Sequence, residues 1–347
     1  MALQPRFFES ERLERAKDSL CKVFGVPNLR EHQIKAGENI ISGITTLYDI
    51  PTGGGKTLAF WLPLFYYWKP GDTSRESEKV VVVISPLNAL MGSQAKDLND
   101  RGITAVALNS ESGKPEDLFE TLPNNQRRIK YRVVLLSPEM AKSSAFHEKV
   151  LKNPVFKKSC ISVVIDEAHC ISEWGTDDFR PDYAEVGVML ARLPSNVPIL
   201  AASATMPSDI TSDILSKLGL SQDVPRIAVS NRKDNVTLSV RLLQQPQSTY
   251  ADLLYLFPSS PSGPADFPQT LIYVNSRTEA EEIQDFLRQN SPQCIPHTVF
   301  EFYHRHVERS RKDTIQEGIA NGTYRAVPAT DALGMVCNVY VDYSFSE

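Results

Sequence analysis

The sequence predicts an α/β protein of two doubly wound domains with parallel sheets, the second incomplete at its C-terminus. Three observations predict it. Nearly continuous apolar runs recur (VVVVIS, RVVLLS, ISVVID), as expected of parallel strands buried on both faces. Longer helical patterns separate these runs, which implies crossover connections. The alternation stops near Leu220–Asn235 and then begins again.

In chain order, strands are expected at Thr45–Ile50, Lys79–Ser85, Ile103–Ala107, Tyr131–Ser137, Cys160–Asp166, Ile199–Ser203 and Arg226–Val229. The segment SQDVPRIAVSNRKDN, with its proline and charges, reads as the link between domains spanning residues 1–225 and 226–347. Beyond it the pattern predicts a strand at Thr237–Leu243, a helix at Tyr250–Phe257 and a strand at Thr270–Val274. Helices follow at Thr278–Arg288 and Arg309–Ala320. Pro258–Pro268 (PSSPSGPADFP) reads as an exposed loop.

The 347 residues suffice for about two domains. Hydrophobic content of 41% with 23% charged residues fits a soluble globular protein. The longest apolar stretch, Leu58 to Trp68, contains Pro63 and is too short to span a bilayer. The charged opening residues offer no signal-peptide core, and five scattered cysteines form no C-x-x-C pair. A reduced intracellular protein without a zinc site is expected, nuclear in a eukaryote and cytoplasmic otherwise. The net charge of −5 requires any basic surface for nucleic acid to be local.

The strongest motif is PTGGGKT, Pro51–Thr57, between strand TTLYDI and the helical run TLAFWLPLF. Thr52, Gly53, Gly54 and Gly55 let the backbone wrap around phosphates, and the following helix start favours negative charge. Lys56 would reach the β- and γ-phosphates, and Thr57 would bind Mg²⁺. The strict P-loop pattern fails at its first position, Ile50. Asp166-Glu167-Ala168-His169 ends the apolar strand ISVVID. There Asp166 can hold Mg²⁺ and Glu167 can deprotonate the attacking water, with His169 beside them. Alone, such a tetrapeptide is as readily a solvated turn; downstream of a P-loop it points to nucleotide hydrolysis. Ser203-Ala204-Thr205 could relay the state of that site, although a strand-end turn explains it equally well.

In this order PTGGGKT, DEAH and SAT resemble the motor of helicase superfamily two. DEAHCISEWGTDDFRPDY (Asp166–Tyr183) resembles the aromatic-rich loop of RecQ helicases, and LCKVFGVPNLREHQ (Leu20–Gln33) resembles that family's opening motif. VVISPLNALMGSQ, VLLSPE and LIYVNSR resemble its motifs Ia, Ib and IV, and Phe302–Met335 resembles the stretch into motif V. The resemblance implies two RecA-like domains, ATP and Mg²⁺ as cofactors, and single-stranded and forked duplex DNA as partners. It implies 3′ to 5′ movement in DNA repair and recombination. It places Arg30 and Gln33 at the nucleotide, Gln33 against adenine. It places Trp174, Phe179 and Arg180 on DNA by stacking or phosphate contact, with Ser85, Ser137, Ser276, Arg277 and Thr330 along the phosphates.

The sequence also departs from the family. No Q-x-x-G-R-x-G-R motif occurs, Val336 replaces a small residue in motif V, and Pro328 interrupts the strand before it. These departures lead to the expectation of a motor stopping after motif V. The competing readings are an ATP- and DNA-binding module with little unwinding and an RNA-directed DEAH-type ATPase.

Overall fold

A computed structural model describes residues 9–86, 88–109, 113–123, 125–173 and 181–334. The chain divides into two compact units, Met1–Asp234 and Asn235–Glu347. The division falls after Asp234 and not after residue 225, because the strand at Arg226–Ala228 is hydrogen-bonded into the first sheet.

The strands of the first unit are β1 (Thr46–Asp49), β2 (Val80–Ile84), β3 (Ala105–Leu108), β4 (Phe119–Thr121), β5 (Arg127–Ile129), β6 (Val133–Leu136), β7 (Cys160–Ile165), β8 (Ile199–Ser203) and β9 (Arg226–Ala228). Seven of them form one sheet in the order β3-β6-β2-β7-β8-β1-β9. Every pairing in it is parallel. All seven expected strands are therefore present. The antiparallel pair β4–β5 was not expected.

Successive residues of a strand face opposite sides of its sheet, and both sides here are covered. Val81, Val83, Val133, Leu135 and Val164 join the core beneath α1 (Ser10–Phe24), α2 (Glu31–Ile41), α3 (Lys56–Tyr67) and α4 (Asn88–Asp100). Val80, Val82, Ile84, Val134 and Val163 join the opposite core. That face carries α5 (Pro138–Lys142), α6 (Ser144–Phe146), α7 (Pro154–Ser159), α8 (Cys170–Glu173), α9 (Pro181–Ala184), α10 (Val186–Leu190) and α11 (Ser208–Lys217). Helix α3 is buried continuously from Ala59 to Tyr66, which explains its nearly unbroken apolar sequence.

In the second unit β10 (Thr270–Tyr273) pairs in parallel with β11 (Ala326–Ala329). The helices are α12 (Arg277–Asn290), α13 (Arg309–Ala320) and α14 (Asp331–Gly334). Two expectations need correction. Thr237–Leu243 forms no strand. Its apolar residues point into solvent, with Leu238 90%, Val240 95% and Leu242 84% exposed, and no strand among the described residues pairs with it. The expected α-helix at Tyr250–Phe257 is a 3-10 turn over Ala251–Leu256, entered through Tyr250 at φ 55°.

Pro328 sits inside β11 without breaking its pairing to β10. Its carbonyl accepts from the Tyr303 amide. The N–H and C=O of one strand residue face the same side, so the missing donor also faces Tyr303.

Helix packing in the first unit can be tested at two glycines. A methyl group on Gly187 would run into the Lys217 carbonyl, whereas one on Gly92 would meet open space. Gly187→Ala is expected to cost about 1–3 kcal/mol through overpacking. Gly92→Ala, on the exposed face of α4, should gain about 0.5–1 kcal/mol. Urea unfolding of both variants checks this; equal shifts would contradict the packing.

Candidate nucleotide site

Loop Pro51–Gly55 links β1 to α3, and its first turn is closed by the Gly54 amide on the Pro51 carbonyl at 2.8 Å. Gly53 and Gly55 both take φ 77°, a left-handed conformation that favours glycine. A side chain at Gly54 would strike Ile50 and the Pro51 carbonyl. The loop is therefore a cradle that only bare backbone can form, and Ile50 at the position of the missing first glycine lies buried beneath it. Thr52 and Thr57 are exposed. The Lys56 ammonium donates to the Ile50 carbonyl at 3.3 Å, folded back over the loop.

Arg30 and Gln33 support this loop. Gln33 donates from Nε2 to the Gly55 carbonyl at 2.8 Å, and its Oε1 accepts from the Arg30 amide at 2.7 Å. The Arg30 guanidinium lies 3.4 Å from the Gly53 carbonyl. With Gln33 only 2% exposed, its amide is engaged by protein groups and props the loop. It presents no open edge to a base.

Asp166 and Glu167 follow β7 at the same sheet edge. The order β7-β8-β1 puts a single strand between the carboxylates and the P-loop, a gap of about 10 Å at ordinary strand spacing. The Asp166 amide donates to the Ile84 carbonyl at 2.9 Å, and the Tyr183 hydroxyl donates to the Asp166 carbonyl at 2.6 Å. Burial, then the Glu167 charge, push the Asp166 carboxyl up to about 7; Lys56, the Glu167 amide and Gln94 oppose them. Glu167 itself takes φ 49°, an uncommon conformation for a residue with a side chain.

His169 connects this pair to the Ser-Ala-Thr turn. Its Nδ1 lies 2.8 Å from Ser203 Oγ and 3.4 Å from Glu167 Oε2. Ser203 Oγ also accepts from the Thr205 amide at 3.2 Å. The Ile50 amide donates to the Ser203 carbonyl at 3.0 Å, so the turn is bonded to the P-loop as well. Sequence reasoning gave no role to Gln94, Tyr183 or Lys233, whose ammonium donates to the Thr52 carbonyl at 3.2 Å. Gln94 and Tyr183 do close the runs VVISPLNALMGSQ and DEAHCISEWGTDDFRPDY.

The other expected residues are more scattered. Ser85 and Ser137 end β2 and β6 at this edge but are fully buried, and Ser137 caps α5 by accepting from the Met140 amide at 3.2 Å. In the second unit Ser276 caps α12, accepting from the Glu279 amide at 3.1 Å, and Arg277 beside it is exposed. Thr330 follows β11, its amide on the Tyr303 carbonyl at 3.0 Å. Trp174, Phe179 and Arg180 lie outside the described residues.

Residues 30–213, more than half of the chain, match the DEAD/DEAH box helicase family. The chain belongs to that family. It is 30% identical over 324 residues to the probable ATP-dependent DNA helicase RecS of Bacillus subtilis, covering 93% of this chain and 59% of RecS. It is 29% identical over 321 residues to the ATP-dependent DNA helicase RecQ of Haemophilus influenzae, covering 92% of this chain and 46% of RecQ. The helicase-family chain thus spans about half the length of these curated relatives. A crystal structure of the DUF1998 helicase MrfA bound to DNA and AMPPNP superposes with a TM-score of 0.61 at 18% identity. It covers 97% of this chain and 47% of MrfA, a likeness of the RecA-like fold. No helix among the described residues is long and apolar enough to cross a membrane.

The buried carboxylate gives a pH prediction. The raised pKa means that folded Asp166 keeps its proton at pH values where the unfolded chain has released it. Its stabilising contribution is complete below about pH 4 and is lost as pH rises through about 7. At pH 8 Asp166→Asn should therefore stabilise the nucleotide-free protein, by about 4 kcal/mol at most. The gain should vanish toward pH 4. Thermal melts across that range check it; a constant difference would contradict the cause given.

Proposed function

We propose that this chain is the motor of a RecQ-type DNA helicase, coupling ATP hydrolysis to 3′ to 5′ movement on single-stranded DNA in repair and recombination. The observation that carries the reading is the P-loop and the Asp166–Glu167 pair at one sheet edge, a single strand apart. RecS and RecQ, the two relatives named above, are ATP-dependent DNA helicases, which supports the choice of DNA over RNA.

The residues fit the cofactors. The glycine cradle and the start of α3 suit phosphate oxygens. Thr57 and Asp166 would hold Mg²⁺, which ordinarily takes one or two protein oxygens and completes its shell with water and phosphate. The bound ion would offset developing phosphate charge. Lys56 would leave the Ile50 carbonyl for the phosphates, and Glu167 would accept a proton from the attacking water. Gln33 would read adenine by turning its amide from Gly55, so base recognition and loop shape would change together. His169, which lies beside both Glu167 and Ser203, would link a change in charge at Glu167 to the position of the Ser203–Thr205 turn. DNA would meet Trp174, Phe179 and Arg180 together with backbone near Ser85, Ser137, Ser276, Arg277 and Thr330.

Glu167→Gln should retain nucleotide binding and lose turnover by about 10²- to 10⁴-fold. Lys56→Ala should lose nucleotide affinity without unfolding. Fluorescent-nucleotide titration and DNA-stimulated phosphate release separate these effects, and normal turnover by Glu167→Gln would sink the assignment. Strand displacement from 3′- and 5′-tailed duplexes tests polarity.

A further inference from the structure

At the opposite edge of the first unit's sheet, basic side chains gather. Lys79 and Arg132 immediately precede β2 and β6, and α7 ends where β7 begins. These positions mark the amino edge, about 15–20 Å along the strands from the P-loop. Arg75, Lys79, Arg127 and Lys158 line a cavity of ≈ 290 Å³. Arg128, Lys130 and Arg132 line an adjoining one of ≈ 200 Å³. The carboxylates lining the two are Asp72 and Glu78. Seven basic groups against Asp72, Glu78 and the Glu120 that pairs with Arg128 make a local excess in a chain whose net charge is −5.

The patch is held in place. Arg132 stacks over Trp68, 5.4 Å from the ring centroid, and donates to the carbonyls of Asp72 and Ser77. Arg127 stacks over Phe119 at 5.2 Å. Arg75 donates to Gln126, and Arg128 pairs with Glu120 across the β4–β5 hairpin. Trp68 and Phe119 are buried beneath their cations, and the half-buried Tyr131 lies under Lys130, 5.6 Å from the ring centroid, which leaves little open ring face for unstacked bases, the usual means of gripping single strands. What the surface offers is cationic groups at fixed positions, suited to the regular phosphates of a duplex.

We propose that the amino edge of this sheet carries a second nucleic-acid contact, which grips the phosphate backbone of duplex DNA away from the motor site. The proposal rests on the DNA-motor reading above and adds a surface that the helicase motifs do not include.

The test is fluorescence anisotropy on blunt duplex and on single-stranded DNA over a range of salt, using the full chain. The variants are Arg127→Glu/Lys158→Glu and the neutral Arg127→Gln/Lys158→Gln, both at exposed positions. Charge reversal should weaken duplex binding on the order of tenfold and lower the salt slope by about 2. The neutral pair should fall between it and wild type. Single-strand affinity and DNA-stimulated ATPase should not change. Unchanged duplex affinity would leave the patch to an acidic protein surface and overturn the proposal, as would an equal loss on single strands. A wild-type chain that hydrolyses ATP on single strands but ignores blunt duplex overturns the proposal alone. One that ignores all DNA overturns the motor reading with it.

Discussion

Parallel pairing constrains everything else in the first unit. Each strand of a parallel sheet must return through a crossover before the next one begins, so every loop that follows a strand opens at the same edge. Here those loops begin with Ile50, Ser85, Ser137, Asp166 and the Ser203 turn. Residues separated by more than a hundred positions in the chain become neighbours. The order β7-β8-β1 then sets which neighbours meet: carboxylates on one side, glycine loop on the other, and the Ser-Ala-Thr turn between them. Bonds from Ile50 and Ala168 to the backbone of β8 fix both loops to that central strand.

Within this frame the costly feature is the Asp166 carboxylate, buried with few donors. Backbone bonds hold the peptide groups on either side of it, and Lys56 lies close enough to ease its charge. A cation bound beside it would ease it further, so binding of that cation would compete with protonation of Asp166.

Much of this was legible in the sequence because buried parallel strands leave an unmistakable record. VVVVI, VVLL and CISVVI are apolar at every position or nearly so, and both faces of each are covered. The glycine loop and the DEAH tetrapeptide were legible for a related reason: each follows a strand buried at every position or nearly so. The charged hairpin β4–β5 has no comparable pattern, since its short strands FET and RRI bury only Phe119 and Ile129. Thr237–Leu243 misled in the opposite direction. Its alternating Val and Leu have the period of a strand, but a strand exists only where another accepts its hydrogen bonds, and periodicity cannot report that. The placement of Gln33 was hidden as well. Its residue type suggested base recognition, while its placement under Gly55 depends on how α2 packs against α3.

The left-handed backbone at Glu167 bears on how this protein could be improved. A glycine there would relax the conformation and remove a negative charge beside Asp166. Heat resistance and chemistry therefore pull in opposite directions at this position. A library ranked by survival at high temperature would accumulate replacements of the side chain proposed above as the base. Screening such a library with nucleotide present, or scoring turnover alongside heat survival, would keep the two properties from being confused.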